Sequence, residues 1–147
     1  MRGDEPIYIK VYDPIEKKIC LMQIHELVKE MVGSQIPISF EIEALKAQAI
    51  IARTWIVRRG RIFGGPGCHK YKGADICADG HCGNWLNKEQ LRQKWKEDFE
   101  KNWEKLNIAE EETKDLILMF NNKPIYPRFH STCGGATVNS EKVEDNR

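Results

Sequence analysis

The run Pro37-Ile-Ser-Phe-Glu41-Ile-Glu43-Ala-Leu-Lys-Ala-Gln-Ala-Ile-Ile-Ala-Arg-Thr-Trp55 decides the fold. Ala, Leu, Lys, Gln and Glu form helices readily and neither Pro nor Gly interrupts them before Gly60. One helix is therefore predicted from Phe40 to about Arg59, with Ser39 as its N-cap. At about 100° per residue, Leu45, Ala49, Ala52 and Ile56 share one side. Ala44, Ala47, Ile50, Ile51 and Trp55 cover most of the rest, which predicts a helix buried in the middle of the domain. Polar residues on such a helix carry information. Glu43, Lys46 and Arg53 fall on one side, and Glu41 and Gln48 lie nearly opposite.

Toward the N-terminus, Ile7-Tyr-Ile-Lys-Val-Tyr12 alternates as a strand does, Asp13-Pro14 begins a turn, and Lys18-Ile-Cys-Leu-Met22 reads as the returning strand of a hairpin. Ile24, Leu27, Val28 and Met31 then recur at helical spacing, with Gly33 as the expected stop. Beyond the central helix, Arg58-Arg-Gly-Arg61 and Gly64-Gly-Pro-Gly67 mark a loop that runs to about Gly83. A loop of that length without periodicity is usually functional or pinned. Leu91, Trp95, Phe99 and Trp103 predict a helix from Lys88 to about Lys105, and their aromatic stripe reads as core packing ahead of a sugar-stacking platform. Glu112-Thr113 with Leu116-Ile-Leu-Met-Phe120, and then Pro124-Ile-Tyr-Pro-Arg-Phe129, read as two strands about an Asn121-Asn-Lys turn. The polar tail from Ser140 to Arg147 is expected to be poorly ordered.

The prediction is a single α+β domain over residues 1–147, with small antiparallel strands and flanking helices around the central helix. The chain has 23 basic and 22 acidic residues and no dense Lys/Arg run, so nucleic acid is not an expected partner. No window is long and apolar enough to span a bilayer, and the first residues lack the hydrophobic core of a signal peptide. Five cysteines leave at least one thiol over if disulfides form within the chain. Cys68, Cys77 and Cys82 cluster with His69 and His81, a donor set that suits zinc; a disulfide among these cysteines, and unligated thiols, are the alternatives. A metal here would be structural, pinning the loop.

The segment from Phe40 to Trp55, followed by Phe129-His-Ser-Thr-Cys-Gly-Gly135, resembles the stage II sporulation protein D family. Gly73-Ala-Asp-Ile-Cys77 and His81-Cys82 are similar to the cysteine-bearing segment of its clostridial branch, whose zinc is held by a His and two Cys. That His falls where this chain has Tyr71. Relatives also place a Glu-Met-Pro triplet where Gln35-Ile36-Pro37 stands here, so a carboxylate common in relatives is missing. They usually carry an N-terminal membrane anchor and continue beyond the second motif, so the chain is expected to be shortened at both ends relative to the family and to work outside the cytoplasm, facing the cell wall.

The resemblance implies a lytic transglycosylase that cuts the N-acetylmuramic acid to N-acetylglucosamine bond of peptidoglycan and leaves anhydro-muramyl ends. Glu43 would be acid and then base, with Glu41 as the second choice, and the chemistry itself needs no cofactor. Such an acid is expected to have a raised pKa, which Lys46 would oppose on contact. Without the resemblance, Glu43 reads as an acid favoured only by the helix dipole. Lys46, Gln48, Arg53, His130, Ser131, Thr132, Gly134 and Gly135 are the expected substrate-binding residues, although a structural turn explains the Gly-Gly motif nearly as well. The expected partners are peptidoglycan glycan strands and other cell-wall hydrolases. The alternative function is a non-catalytic peptidoglycan-binding module that enhances or recruits an amidase. A thiol-dependent hydrolase using Cys133 and His130 is a third.

Overall fold

A computed structural model describes residues 7–78, 82–83, 85–120 and 123–124. Strands β1 (Tyr8–Asp13) and β2 (Lys18–Gln23) form the expected hairpin, paired from Tyr8 opposite Gln23 to Asp13 opposite Lys18. Asp13 shapes the turn by accepting the backbone N–H of Ile15 at 2.9 Å. Helix α1 (Ile24–Gln35) follows without a loop and runs through Gly33 rather than stopping there. A Cβ at Gly33 would lie 3.0 Å from Trp95 and 3.1 Å from Leu106, so this glycine serves close helix packing and not termination.

Helix α2 (Ile42–Arg59) begins two residues later than predicted, with Glu41 and not Ser39 at the N-cap. Phe40 is instead in a turn, its N–H bonded to Pro37 O at 3.1 Å. Its burial is uneven. Leu45 and Ala49 point inward and Ala47 is exposed, whereas Ala52 to Ile56 are buried without interruption. The central buried helix is thus the C-terminal half of α2, and α1 and α4 both pack against α2.

The long loop holds a third strand, β3 (Ile76–Cys77), which pairs parallel to β1 and makes the sheet order β2-β1-β3. Two residues are too few for periodicity to reveal. Buried Asp75 secures the crossing, accepting the N–H of Lys10 at 2.8 Å and of Arg61 at 3.0 Å.

The predicted helix 88–105 is two helices, α3 (Lys88–Trp95) and α4 (Phe99–Glu111), separated by a 3₁₀ turn over residues 96–98. Asn87 and Gln90 form a capping box at the start of α3. Lys96 takes φ 53°, which breaks the helix and reorients the stripe. Leu91, Phe99 and Trp103 are core residues as expected, with Phe99 stacked on Trp103 at 5.5 Å. Helix α4 extends to Glu111, so residues 112–115 form turns, and only β4 (Met119–Phe120) is strand, antiparallel to β5 (Lys123–Pro124). The rest of the expected second strand, and the tail, lie outside the described residues.

The hydrophobic core joins Ile9 and Val11 of the sheet, Leu27, Val28 and Met31 of α1, and Leu45 and Ile56 of α2 to the aromatic residues of α4. The architecture is α+β, a small mixed sheet with helices packed on it.

Candidate functional site

The start of α2 presents Glu43 in its first turn with a side chain 77 % exposed, so the burial expected around this carboxylate is absent from the structure. The physical reason is the helix's tilt of burial: its apolar contacts begin at Leu45 and strengthen only from Ala52 onward. Lys46, one turn later, donates to Glu43 Oε2 at 3.1 Å and to Glu112 Oε1 at 2.6 Å. These two contacts, that to Glu112 first, hold the ammonium above its ordinary pKa. Glu112, which local pattern assigned to a strand, is brought here because α4 continues past Lys105 and delivers the following turn to the α2 start. Glu41 is also exposed, at the N-cap.

The other polar residues of α2 are committed elsewhere. Gln48 donates its amide to Gln35 Oε1 at 2.8 Å and ties α2 to α1. Arg53 was expected beside Glu43 on the substrate face, but it is 3 % exposed. Its guanidinium donates to Leu116 O at 2.9 Å and to Thr113 O, and it pairs with the buried carboxylate of Glu110 at 3.3 Å. Burial pulls the Arg53 pKa down and Glu110 resists that pull. A guanidinium has the donors to close a helix C-terminus whose carbonyls lack partners, and that is where Arg53 goes. Glu110 also contacts His25 Nδ1, which links α1 to the same cluster.

A second group forms in the loop. The sulfurs of Cys68, Cys77 and Cys82 lie within 4.8 Å of one another, with Cys68 and Cys77 buried and Cys82 half-buried. Backbone N–H groups point at them, Tyr71 N to Cys68 Sγ at 3.3 Å and Cys82 N to Cys77 Sγ at 3.4 Å, and the Arg59 guanidinium reaches Cys82 Sγ at 3.4 Å. Burial opposes ionisation of Cys68, but the N–H of Tyr71 and the neighbouring thiols outweigh it and lower its pKa; burial and the bond from Cys68 raise that of Cys82.

Three soft donors at this spacing, with N–H groups aimed at the sulfurs, fit a metal ion, because thiolate ligands in tetrahedral sites sit about 3.8 Å apart and need just such outer partners. The residues that would hold it are Cys68, Cys77 and Cys82, and the ion would cross-link the loop. His69 is exposed and stands outside the trio. Tyr71 is engaged in stacking on Tyr12, ring centres 3.6 Å apart, while its N–H serves Cys68. His81, and the motif with His130, Ser131, Thr132, Cys133, Gly134 and Gly135, lie outside the described residues.

Sequence reasoning missed Glu112, Arg59 and Glu110. Spacing carried no signal for the first two, since each meets its partner only through tertiary packing. Glu110 had a weak one, an acid at the C-terminal end of a helix whose dipole disfavours it, which demands a compensating cation.

The α+β scaffold displays an acidic helix start and a trio of clustered thiols. The family model described as a stage II sporulation protein, SpoIID, matches residues 12–120, which takes in the chain from the end of β1 onward, both sites and α4. The class is therefore that of a sporulation-protein domain. More particularly, the chain belongs to the SpoIID family. It is 33 % identical over 138 residues to stage II sporulation protein D of Bacillus amyloliquefaciens, covering 94 % of this chain and 40 % of that protein. To the protein of the same name from Bacillus subtilis (strain 168) it is 33 % identical over 136 residues, 92 % of this chain and 39 % of the relative. The chain thus spans about two fifths of the length of the curated relatives it matches. No helix among the described residues is long and apolar enough to cross a membrane.

Proposed function

We propose that this domain is a peptidoglycan lytic transglycosylase that remodels the cell wall in sporulation, with Glu43 as its acid and base. The observation that supports the reading is the placing of Glu43, solvent-accessible at the first turn of α2 inside the family-matched segment, with Lys46 as the cation bonded to it. In the reaction, the Glu43 carboxyl gives its proton to the glycosidic oxygen as the bond from that oxygen to the muramic acid C1 breaks. The carboxylate left behind takes the proton of the sugar's 6-hydroxyl, whose oxygen closes on C1 to form the anhydro ring. The proton returns to Glu43 and no water is consumed.

Lys46 bonds Glu112 more closely than Glu43, at 2.6 Å against 3.1 Å. It can remain on Glu112 while Glu43 carries its proton and then stabilise the carboxylate formed by transfer. Because Glu43 is exposed, the bound glycan itself has to exclude water from it. His130, Ser131, Thr132, Gly134 and Gly135 are proposed to line the glycan. Gln48 and Arg53 fall out of that set, since each is engaged within the fold. The metal proposed for the thiol trio is zinc in a structural role, and the domain is proposed to act outside the cytoplasm.

The test is incubation with peptidoglycan stripped of its stem peptides, the released ends being identified by mass spectrometry. Anhydro-muramyl ends that disappear in a folded Glu43→Gln protein are expected. No release, with binding to the glycan retained, would replace this reading with a binding module that recruits an amidase.

A further inference from the structure

A cavity of about 260 Å³ opens between the β1–β2 hairpin, α1 and the segment that leads into α3. Val11, Met22, Ala78, Trp85 and Leu86 give it apolar walls. Glu30 reaches it from α1 and is only 5 % exposed. One of its oxygens, Oε2, accepts the N–H of Lys88 at 3.0 Å, while Oε1 has no hydrogen-bond partner. A buried carboxyl oxygen left unbonded is costly, and a donor is what the site lacks.

The remaining polar groups narrow the ligand. Asp13 lines the same cavity and spends Oδ1 on the hairpin turn, and its Oδ2 makes no hydrogen bond among the described residues. The Asn87 and Gln90 side chains use their oxygens in the capping box. Among the described residues, no lysine or arginine lines the cavity. The charged groups that act on Glu30 are Glu26 from its own helix and Lys88 from α3, whose ammonium sits over the Trp103 ring at 5.0 Å; Asp13 faces the cavity from the hairpin. Anions are therefore disfavoured.

We propose that this cavity binds a small primary ammonium compound, its apolar body against Trp85 and Met22 and its N–H groups on Glu30 Oε1 and Asp13. Burial raises the Glu30 pKa to about 7, with the Lys88 N–H and the Trp85 indole opposing the rise. A bound ammonium would draw that carboxyl into its ionised form. Two sources in a cell wall carry this chemistry, an amino sugar that has lost its acetyl group and the side-chain amine of a diamino acid. The site is independent of the role given to Glu43, since binding is read on the protein alone.

The experiment titrates the chain, at about pH 7 in amine-free phosphate, where both amines are mostly protonated, with n-pentylamine and with glucosamine, following the Trp85 indole N–H by NMR. The neutral counterparts n-pentanol and N-acetylglucosamine are run beside them. At least one amine is expected to saturate the indole shift, and Glu30→Gln to weaken it at least about tenfold. Preference for glucosamine assigns the amino sugar, and preference for pentylamine the side-chain amine. The proposal is overturned if the neutral compounds bind as well as the amines, or if neither amine shifts the indole up to about 50 mM. Equal amine affinity in folded Glu30→Gln overturns it too. Should that variant not fold, Asp13→Asn decides: weakened amine binding supports the site and unchanged affinity removes it.

Discussion

Replacing Glu30 with Gln is expected to stabilise the protein at alkaline pH and to leave it nearly unchanged in acid. Glu30 is buried in α1, and its pKa rises from 4.5 to about 7, burial being the largest cause and Glu26 adding to it, against the Lys88 N–H, the Trp85 indole and the Lys88 charge. An acid whose folded pKa lies above its unfolded value holds its proton more tightly when folded. Below pH 4.5 both states are protonated and no penalty exists. As pH rises, the unfolded chain ionises freely while the folded one resists, so stability falls between pH 4.5 and 7 and is flat above. A shift from 4.5 to about 7, at about 1.4 kcal/mol per unit, amounts to about 3 kcal/mol.

Glutamine keeps an oxygen for the Lys88 N–H and cannot ionise, so the variant escapes the loss. Urea unfolding of both proteins from pH 4 to pH 8.5, in buffers free of amines, gives the difference in unfolding free energy. Taking the difference cancels the other carboxylates. It should be near zero at pH 4 and grow to about 3 kcal/mol in favour of Gln by pH 8. A difference that is flat across this range, or that grows toward acid, refutes the assignment of a buried, proton-holding carboxyl to this position.

Three further outcomes are expected. Gly33→Ala should destabilise by about 1–3 kcal/mol, because its Cβ would meet Trp95 at 3.0 Å and Leu91 at 3.2 Å; stabilisation in urea unfolding, as helix propensity alone would give, contradicts the close α1 packing. Arg53→Met should cost about 3–5 kcal/mol by leaving the Glu110 carboxylate buried without its guanidinium and the carbonyls of Thr113 and Leu116 without donors, with hydrogen exchange accelerated over residues 112–118. Cys77→Ser, or stripping with a strong chelator, should abolish stoichiometric metal and lower the melting temperature, while Glu43→Gln retains both. Metal analysis of protein purified without added zinc reads this directly, and equal metal content in Cys77→Ser would remove the trio as its holder.

The helical reading of α2 was correct in extent to within two residues at its start, because Ala, Leu and Gln favour a helix wherever they are placed. What it could not show was which half would be buried. That depends on how the rest of the domain packs against the helix, and the packing buries Ala52 to Ile56 and leaves Glu43 in solvent. Arg53 illustrates the same limit. By angle it shares a side with Glu43, yet the carbonyls at the end of α4 arrive there and take the guanidinium out of solvent. The stripe Leu91, Phe99 and Trp103 was legible as core, but the break at Lys96 was not, since a lysine gives no local sign of a positive φ.

Sequence alone therefore determined what short-range physics controls: the hairpin, the two main helical stretches, the family motif at α2, and the crowding of cysteines within one loop. Tertiary structure decided which polar groups meet. It placed Lys46 between Glu43 and Glu112, turned Tyr71 onto Tyr12 so that its N–H faces Cys68, and closed the hairpin over Glu30. Helix propensity and apolar spacing act over a few residues, but the partners of a charge or a thiol are chosen by chains that lie far apart in sequence. Their energies are set by burial, which exists only once the whole domain has packed.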